Sequence, residues 1–154
     1  DMHPGTSHGE QVGIATISMS KFQNAILKKD QPPIIYPTNI PEEEISQKLG
    51  EPMLETIKKS MDPKIFDQKK ADTTNEYFSK HWLEFVEPLR EKMLDYDLIW
   101  NSMGECGALR TPEDAKLDSN FYKDALRYGR FIRDRYTILD LAGESSQLDN
   151  LINV

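Results

Sequence analysis

His8 is the residue in this chain whose type and setting best suit chemistry. It stands in Ser7-His8-Gly9-Glu10-Gln11-Val12-Gly13. A neutral imidazole nitrogen is the commonest side-chain ligand for borderline transition metals. Gly9 beside it carries no side chain, so another group can approach the ring closely. A metal site needs several ligands, so His8 is one candidate corner of a set. The other two histidines read differently. His3 lies in a loop marked by the turn pair Pro4-Gly5. His81 has apolar neighbours in sequence but sits off the helical stripe around it, which fits a partly exposed or hydrogen-bonded ring. Nothing near it supplies second-ligand spacing.

The remaining reactive and charged residues have plainer readings. Cys106 is the single cysteine, so no internal disulfide can form, and a reducing, cytoplasmic setting is expected. Its nearest basic residue is Arg110. A catalytic thiolate needs a cationic neighbour or a helix N-terminus, so Cys106 reads as a buried structural cysteine near a helix end. Glu42, Glu43 and Glu44 fall in the first turn of a helix and complement its dipole. Lys64, Lys69 and Lys70 belong to a polar segment, 62–72, that reads as a solvated linker or a frayed helix. Arg127, Arg130, Arg133 and Arg135 read as a solvated face pairing with Asp124 and Asp134. The functional alternative for these arginines is contact with a substrate phosphate, since a guanidinium fork matches phosphate geometry.

The elements that must position these residues are helical. Val12, Ala15, Met19, Phe22 and Ile26 recur at steps of three and four, which predicts a helix from about Gly9 to Lys28 capped by Thr6 or Ser7. Ile14 and Ile17 widen its apolar face, so it is expected to be the buried central helix. Pro32, Pro33 and Pro37 forbid helix across 31–37. A short helix is predicted from Pro41 to Gly50 and another from Pro52 to Met61. Tyr77, Phe78, Trp82, Phe85, Val86, Leu89 and Met93 predict a long helix over 74–94, with Pro88 as a kink point. Asp95 to Met103 forms a short helix ending at Gly104. Thr111-Pro112-Glu113-Asp114 reads as a cap with proline at the first helical position. Asp118 or Ser119 caps a helix reaching Arg135, whose stripe is Tyr122, Ala125, Leu126, Phe131 and Ile132. One or two terminal helices then surround Gly143. The expected fold is all-α, a bundle of seven to nine helices packed around the first long one.

Composition bounds the rest. The 154 residues, 38% hydrophobic and 29% charged, fit one α-rich soluble domain and exclude collagen-like and strongly disordered classes. No run approaches the ~20 apolar residues a membrane helix needs. The formal charge of -7 repels phosphate backbones, so nucleic acid is not an expected partner.

Several motifs together resemble a known family. They are His8-Gly9-Glu10-Gln11-Val12-Gly13-Ile14 opening a helix; Leu109-Arg110-Thr111-Pro112-Glu113-Asp114; Phe121-Tyr122 with Ala125-Leu126; and Ile132-Arg133-Asp134-Arg135-Tyr136-Thr137-Ile138-Leu139-Asp140-Leu141-Ala142. The succession is similar to the C-terminal helices of the iron-containing alcohol dehydrogenase superfamily, in its bacterial sn-glycerol-1-phosphate dehydrogenase type. It brackets nearly the whole chain, although 31–70 carries no matching motif. The resemblance implies a dehydroquinate synthase-like helical domain over 1–154. It also implies a nucleotide-binding domain on the N-terminal side, and between the two a divalent metal (zinc, nickel or iron) held by one Asp and two His. His8 corresponds to the second of those histidines. The motif of the first, the Asp and the glycine-rich cofactor turn are absent here. The chain is therefore expected to be the helical half of a longer enzyme, inactive alone. The implied reaction interconverts dihydroxyacetone phosphate and glycerol 1-phosphate, with NAD or NADP bound by the other domain. A homodimer is implied too. The alternatives are a glycerol dehydrogenase or dehydroquinate-synthase-like relative, or a non-catalytic helical interaction module.

Overall fold

The fold begins with a cap. Ser7 Oγ accepts the Glu10 backbone N–H at 3.3 Å, and the Glu10 carboxylate accepts the Ser7 N–H at 2.7 Å. This reciprocal pair satisfies two of the free donors at a helix start. It launches α1, His8–Leu27. The computed structural model describes residues 6–153, so the readings of His3 and Pro4-Gly5 lie outside the described residues. The helices that follow are α2 (Glu42–Leu49), α3 (Glu51–Met61), α4 (Gln68–Arg90), α5 (Tyr96–Glu105), α6 (Ser119–Gly129), α7 (Ile138–Glu144) and α8 (Leu148–Ile152). A single 3-10 turn, Asp62–Lys64, follows α3. No strand occurs among the described residues, so the architecture is all-α as expected.

α1 is the central helix because its burial swings around its axis. In its N-terminal half Ile14 packs against Ala115 and Leu117, with Leu109 and Tyr122 at the edge. In its C-terminal half Phe22, Ile26 and Leu27 enter the main core beside Phe78, Trp82 and Val86 of α4 and Leu141 and Ala142 of α7. A helix apolar around much of its circumference is used on more than one face. The predicted stripe holds at Phe22 and Ile26 but not at Val12, which is 48% exposed. Ile14 and Ile17 take the inward positions there, and Val12 is left about half exposed.

α2 and α3 form a hairpin around Gly50, whose φ of +86° suits glycine. Ile45, Leu54, Ile57 and Met61 pack there with Tyr128 and Phe131 in a second core. α4 turns Ala71, Phe78, Trp82 and Val86 inward and leaves Tyr77, Phe85 and Leu89 exposed, because it packs on the bundle along one side only. Pro88 falls in its last turn, where the helix is already ending.

Four expectations need correction. α6 stops at Gly129, not Arg135: a tight turn, Phe131 N–H to Tyr128 carbonyl at 2.9 Å, swings Phe131 into the second core and leaves Ile132 58% exposed. Ala125, expected on the α6 stripe, is exposed as well. Thr111 to Asp114 is a turn without a helix. Asp114 Oδ2 accepts the N–H groups of both Arg110 and Thr111, and Lys116 closes the segment at a φ of +55°. The terminal helices expected around Gly143 are α7, which contains it, and α8, with the break between them at Ser146, φ +56°. Cys106 is exposed, because it sits just past α5, a helix with no fully buried residue.

Candidate functional site

His8 occupies the first turn of α1, at its exposed end. The capping box fixes the backbone on either side of it. The hydrogen bonds from Ser7 hold the Glu10 carboxyl below its ordinary range, so Glu10 is ionised and committed to the cap. Among the described residues a Cβ built on Gly9 would meet nothing nearer than Ser7 Oγ at 4.0 Å beyond its chain neighbours, so they leave space open at Gly9. A Cβ on Gly13 would instead come within 2.7 Å of Met103 Cε; this glycine lets α5 close onto α1. Steps of three and four place His8 on one helical face with Val12, Ala15, Met19, Phe22 and Ile26. Burial along that face fades from Ile26, 1% exposed, to Val12, 48% exposed. His8 therefore stands at the uncovered end of an apolar stripe that begins in the core.

Among the described residues, no three His, Cys, Asp or Glu side chains come together as a metal-binding group. His81 makes an exposed pair with Glu84, Nδ1 to Oε2 at 3.1 Å, and stacks on Tyr77 with ring centroids 4.8 Å apart. That matches the surface role expected for it.

The charged cluster that the fold does assemble lies elsewhere and involves residues read as solvated. Lys64 is 4% exposed and Arg130 5%. Lys64 Nζ donates to Asp140 Oδ1 at 2.8 Å, to the Arg135 carbonyl at 3.4 Å and to the Arg130 carbonyl. The second Asp140 oxygen accepts the Thr137 N–H at 2.7 Å and hydroxyl at 2.9 Å, capping α7. Arg130 Nη2 donates to Glu144 Oε1 at 3.1 Å, while its Nε, 3.7 Å from Asp140 Oδ1, has no hydrogen-bond partner among the described residues. Glu144 also accepts the Thr38 hydroxyl at 2.7 Å and the Tyr136 hydroxyl at 2.6 Å. Burial pushes the Glu144 carboxyl above its ordinary range, and burial next to Glu144 raises the Tyr136 phenol.

Two cations face two carboxylates here, so the group closes on itself. Buried charges paired in this way tie segments together; this set joins the 31–41 loop, the turn after α3, the end of α6 and α7. The corrections to the basic segments follow. Lys64 is not part of a solvated linker, and Arg130 is not on a solvated face. Arg127 is held by Asp149 at 2.9 Å and by Asp124 at 3.2 Å, the latter as expected. Arg133 and Arg135 remain exposed. The sequence signal for the cluster was the spacing Thr137, Asp140, Glu144, which puts all three on one side of α7; nothing local marked Lys64.

The chain matches no protein-family model, no curated protein and no solved structure. Among the described residues no helix is long and apolar enough to cross a membrane.

Proposed function

We propose that this chain is the metal-binding helical domain of a nicotinamide-dependent polyol-phosphate dehydrogenase of the sn-glycerol-1-phosphate type, with the dehydroquinate synthase-like helical fold. The observation that carries the reading is the position of His8: exposed, on the first turn of the central helix, with open space at Gly9. An imidazole suits zinc, nickel or iron. A single imidazole does not hold such an ion, so the remaining ligands, one Asp and one His by the resemblance, come from outside the described residues. The half-exposed stripe at Val12 gives the partner domain an apolar surface to meet beside the ligand. A metal held there would supply Lewis acidity toward substrate oxygens during hydride transfer. His8 would donate a ring nitrogen to it, and the Ser7–Glu10 cap keeps the helix start that carries His8 in place.

The test is His8→Ala in the intact protein carrying both halves. Elemental analysis should show bound metal falling from stoichiometric to trace, and reduction of dihydroxyacetone phosphate should fall with it. The far-UV circular dichroism melt should not change, because His8 is exposed. Stoichiometric metal in the variant would refute the assignment. Turnover of glycerol but not of its phosphate would redirect the substrate reading to a glycerol dehydrogenase.

A further inference from the structure

A groove of about 380 Å³ runs between α1, α5, the Arg110–Glu113 turn, α6 and α8. Its charge is the reverse of the chain's. The protein carries a net -7, yet three cations line this groove (Lys21, Arg110 and Lys123) against one carboxylate, Glu113. Glu113 is itself engaged, accepting the Ser119 hydroxyl at 2.8 Å. Among the described residues none of the three cationic side chains forms a hydrogen-bonded ion pair; the Arg110 charge is felt by Asp114, whose carboxylate accepts the Arg110 backbone N–H at 3.2 Å. Among the described residues Lys123 Nζ donates to the amide oxygen of Asn153, at 3.2 Å. All three are partly buried rather than splayed into solvent. Partly buried cations that no carboxylate bonds directly oppose stability, so their retention at one place calls for an anion.

Arg110 is held in a set pose. Its guanidinium lies over the Trp100 ring at 4.4 Å and donates weakly to the Trp100 carbonyl at 3.5 Å. It rests on Gly104, where a Cβ would come within 2.6 Å of Nη1. Stacking fixes the plane of the fork while its other N–H groups remain free, the arrangement in which arginine binds oxyanions. The same wall carries Tyr96 and Trp100, with ring centroids 6.0 Å apart, and Tyr122 holds Ser18 at 2.8 Å on the facing side.

We infer that this groove binds an organic phosphate monoester with a flat apolar body, of nucleoside monophosphate size. A monoester carries about -1.5 to -2 at neutral pH, which balances three cations and one carboxylate. The aromatic wall takes the body. The volume falls in the range of small-molecule sites. This inference is separate from the metal reading. The groove starts at Ile17, nine residues or ~13 Å along α1 from His8 and on the opposite side of the helix.

The experiment is titration of the full chain with adenosine monophosphate, followed by tryptophan fluorescence and calorimetry. The other tryptophan, Trp82, is 3% exposed, so quenching reports Trp100. Saturable quenching with a Kd between about 10 µM and 1 mM is expected. Adenosine and inorganic phosphate should each bind at least roughly tenfold more weakly. Arg110→Gln, and separately the pair Lys21→Gln with Lys123→Gln, should each weaken binding roughly tenfold or more. If Arg110→Gln does not fold, the lysine pair decides. No saturation at millimolar ligand overturns the proposal. So does an unchanged affinity in the folded lysine variant, or inorganic phosphate binding as tightly as the nucleotide.

Discussion

Gly143→Ala sets two effects of opposite sign against each other. Intrinsic helix propensity favours alanine inside α7 by about 0.8–1.0 kcal/mol. Packing opposes it. The new Cβ would fall 1.2 Å from Arg130 Nη1 and 2.4 Å from Cζ. Non-bonded heavy atoms rest at about 3.5–4 Å, so the guanidinium must retreat by roughly 2 Å. A hydrogen bond of 3.1 Å to Glu144 does not survive such a shift. Glu144, 2% exposed, is left without its cation, and breaking a buried ion pair from one side costs about 3–5 kcal/mol. The balance is a net destabilisation of about 2–4 kcal/mol. At about 2–4 °C per kcal/mol for a domain of this size, Tm falls by about 4–16 °C. Guanidinium denaturation with a thermal melt measures it, and Gly9→Ala is the control. At Gly9 the nearest described atom beyond its chain neighbours is 4.0 Å from a new Cβ, so that variant should match the parent or gain up to about 1 kcal/mol. If Gly143→Ala is as stable as the parent, the guanidinium does not rest on α7 and the account of the buried cluster is wrong.

Three further outcomes follow. Lys64→Met removes the cation bonded directly to Asp140 and should cost about 3–5 kcal/mol in urea unfolding; a loss under about 1 kcal/mol would mean that Asp140 does not depend on it. Glu144→Gln should change how stability varies with pH. The folded-state carboxyl is raised above 4.5, so the native state binds the extra proton, and this residue's contribution falls as pH climbs from 4.5 through the raised value. The variant lacks that fall, so its stability relative to the parent should improve between pH 4.5 and neutrality; a difference that is flat or of opposite sign would contradict the burial effect. Gly104→Ala displaces the end of a partly exposed Arg110, so it should weaken nucleotide quenching of Trp100 several-fold while shifting Tm by less than about 3 °C. A large Tm drop would make Arg110 a structural residue.

The sequence made visible what is decided locally. Ser7, Asp95 and Asp118 announce α1, α5 and α6 because a cap is a contact between residues two or three apart. The all-α class and the central place of α1 were legible because apolar spacing repeats along each helix. What depends on distant partners was not. Lys64 meets Asp140 across 76 positions, and no periodicity announces that a lysine between Pro63 and Ile65 turns inward. Val12 has the right spacing for burial but is left about half exposed. Ile132 failed because a turn at Gly129 ended the periodicity that had placed it. At the candidate metal site the residue could be read and its partners could not, since ligands come together by topology rather than by spacing.

The two arginines that rest on glycines show how this fold separates stability from recognition. Arg130 lies on Gly143 and Arg110 on Gly104, and in both cases the missing Cβ lets a guanidinium lie against a helix backbone. The positioning device is the same, and the surroundings decide its use. Arg130 is 5% exposed and faces two carboxylates, so its charge is already neutralised and its removal is felt by the core. Arg110 is partly exposed and stacked on an indole, and among the described residues no carboxylate bonds its guanidinium directly, Asp114 acting on it only at longer range, so its pose is set while its charge is not fully matched. A fold gains little from fixing a cation it does not neutralise. The unneutralised one is therefore where a ligand belongs, and the basic run at 127–135, the more conspicuous stretch in the sequence, has its two most buried arginines already held by acids of α6, α7 and α8.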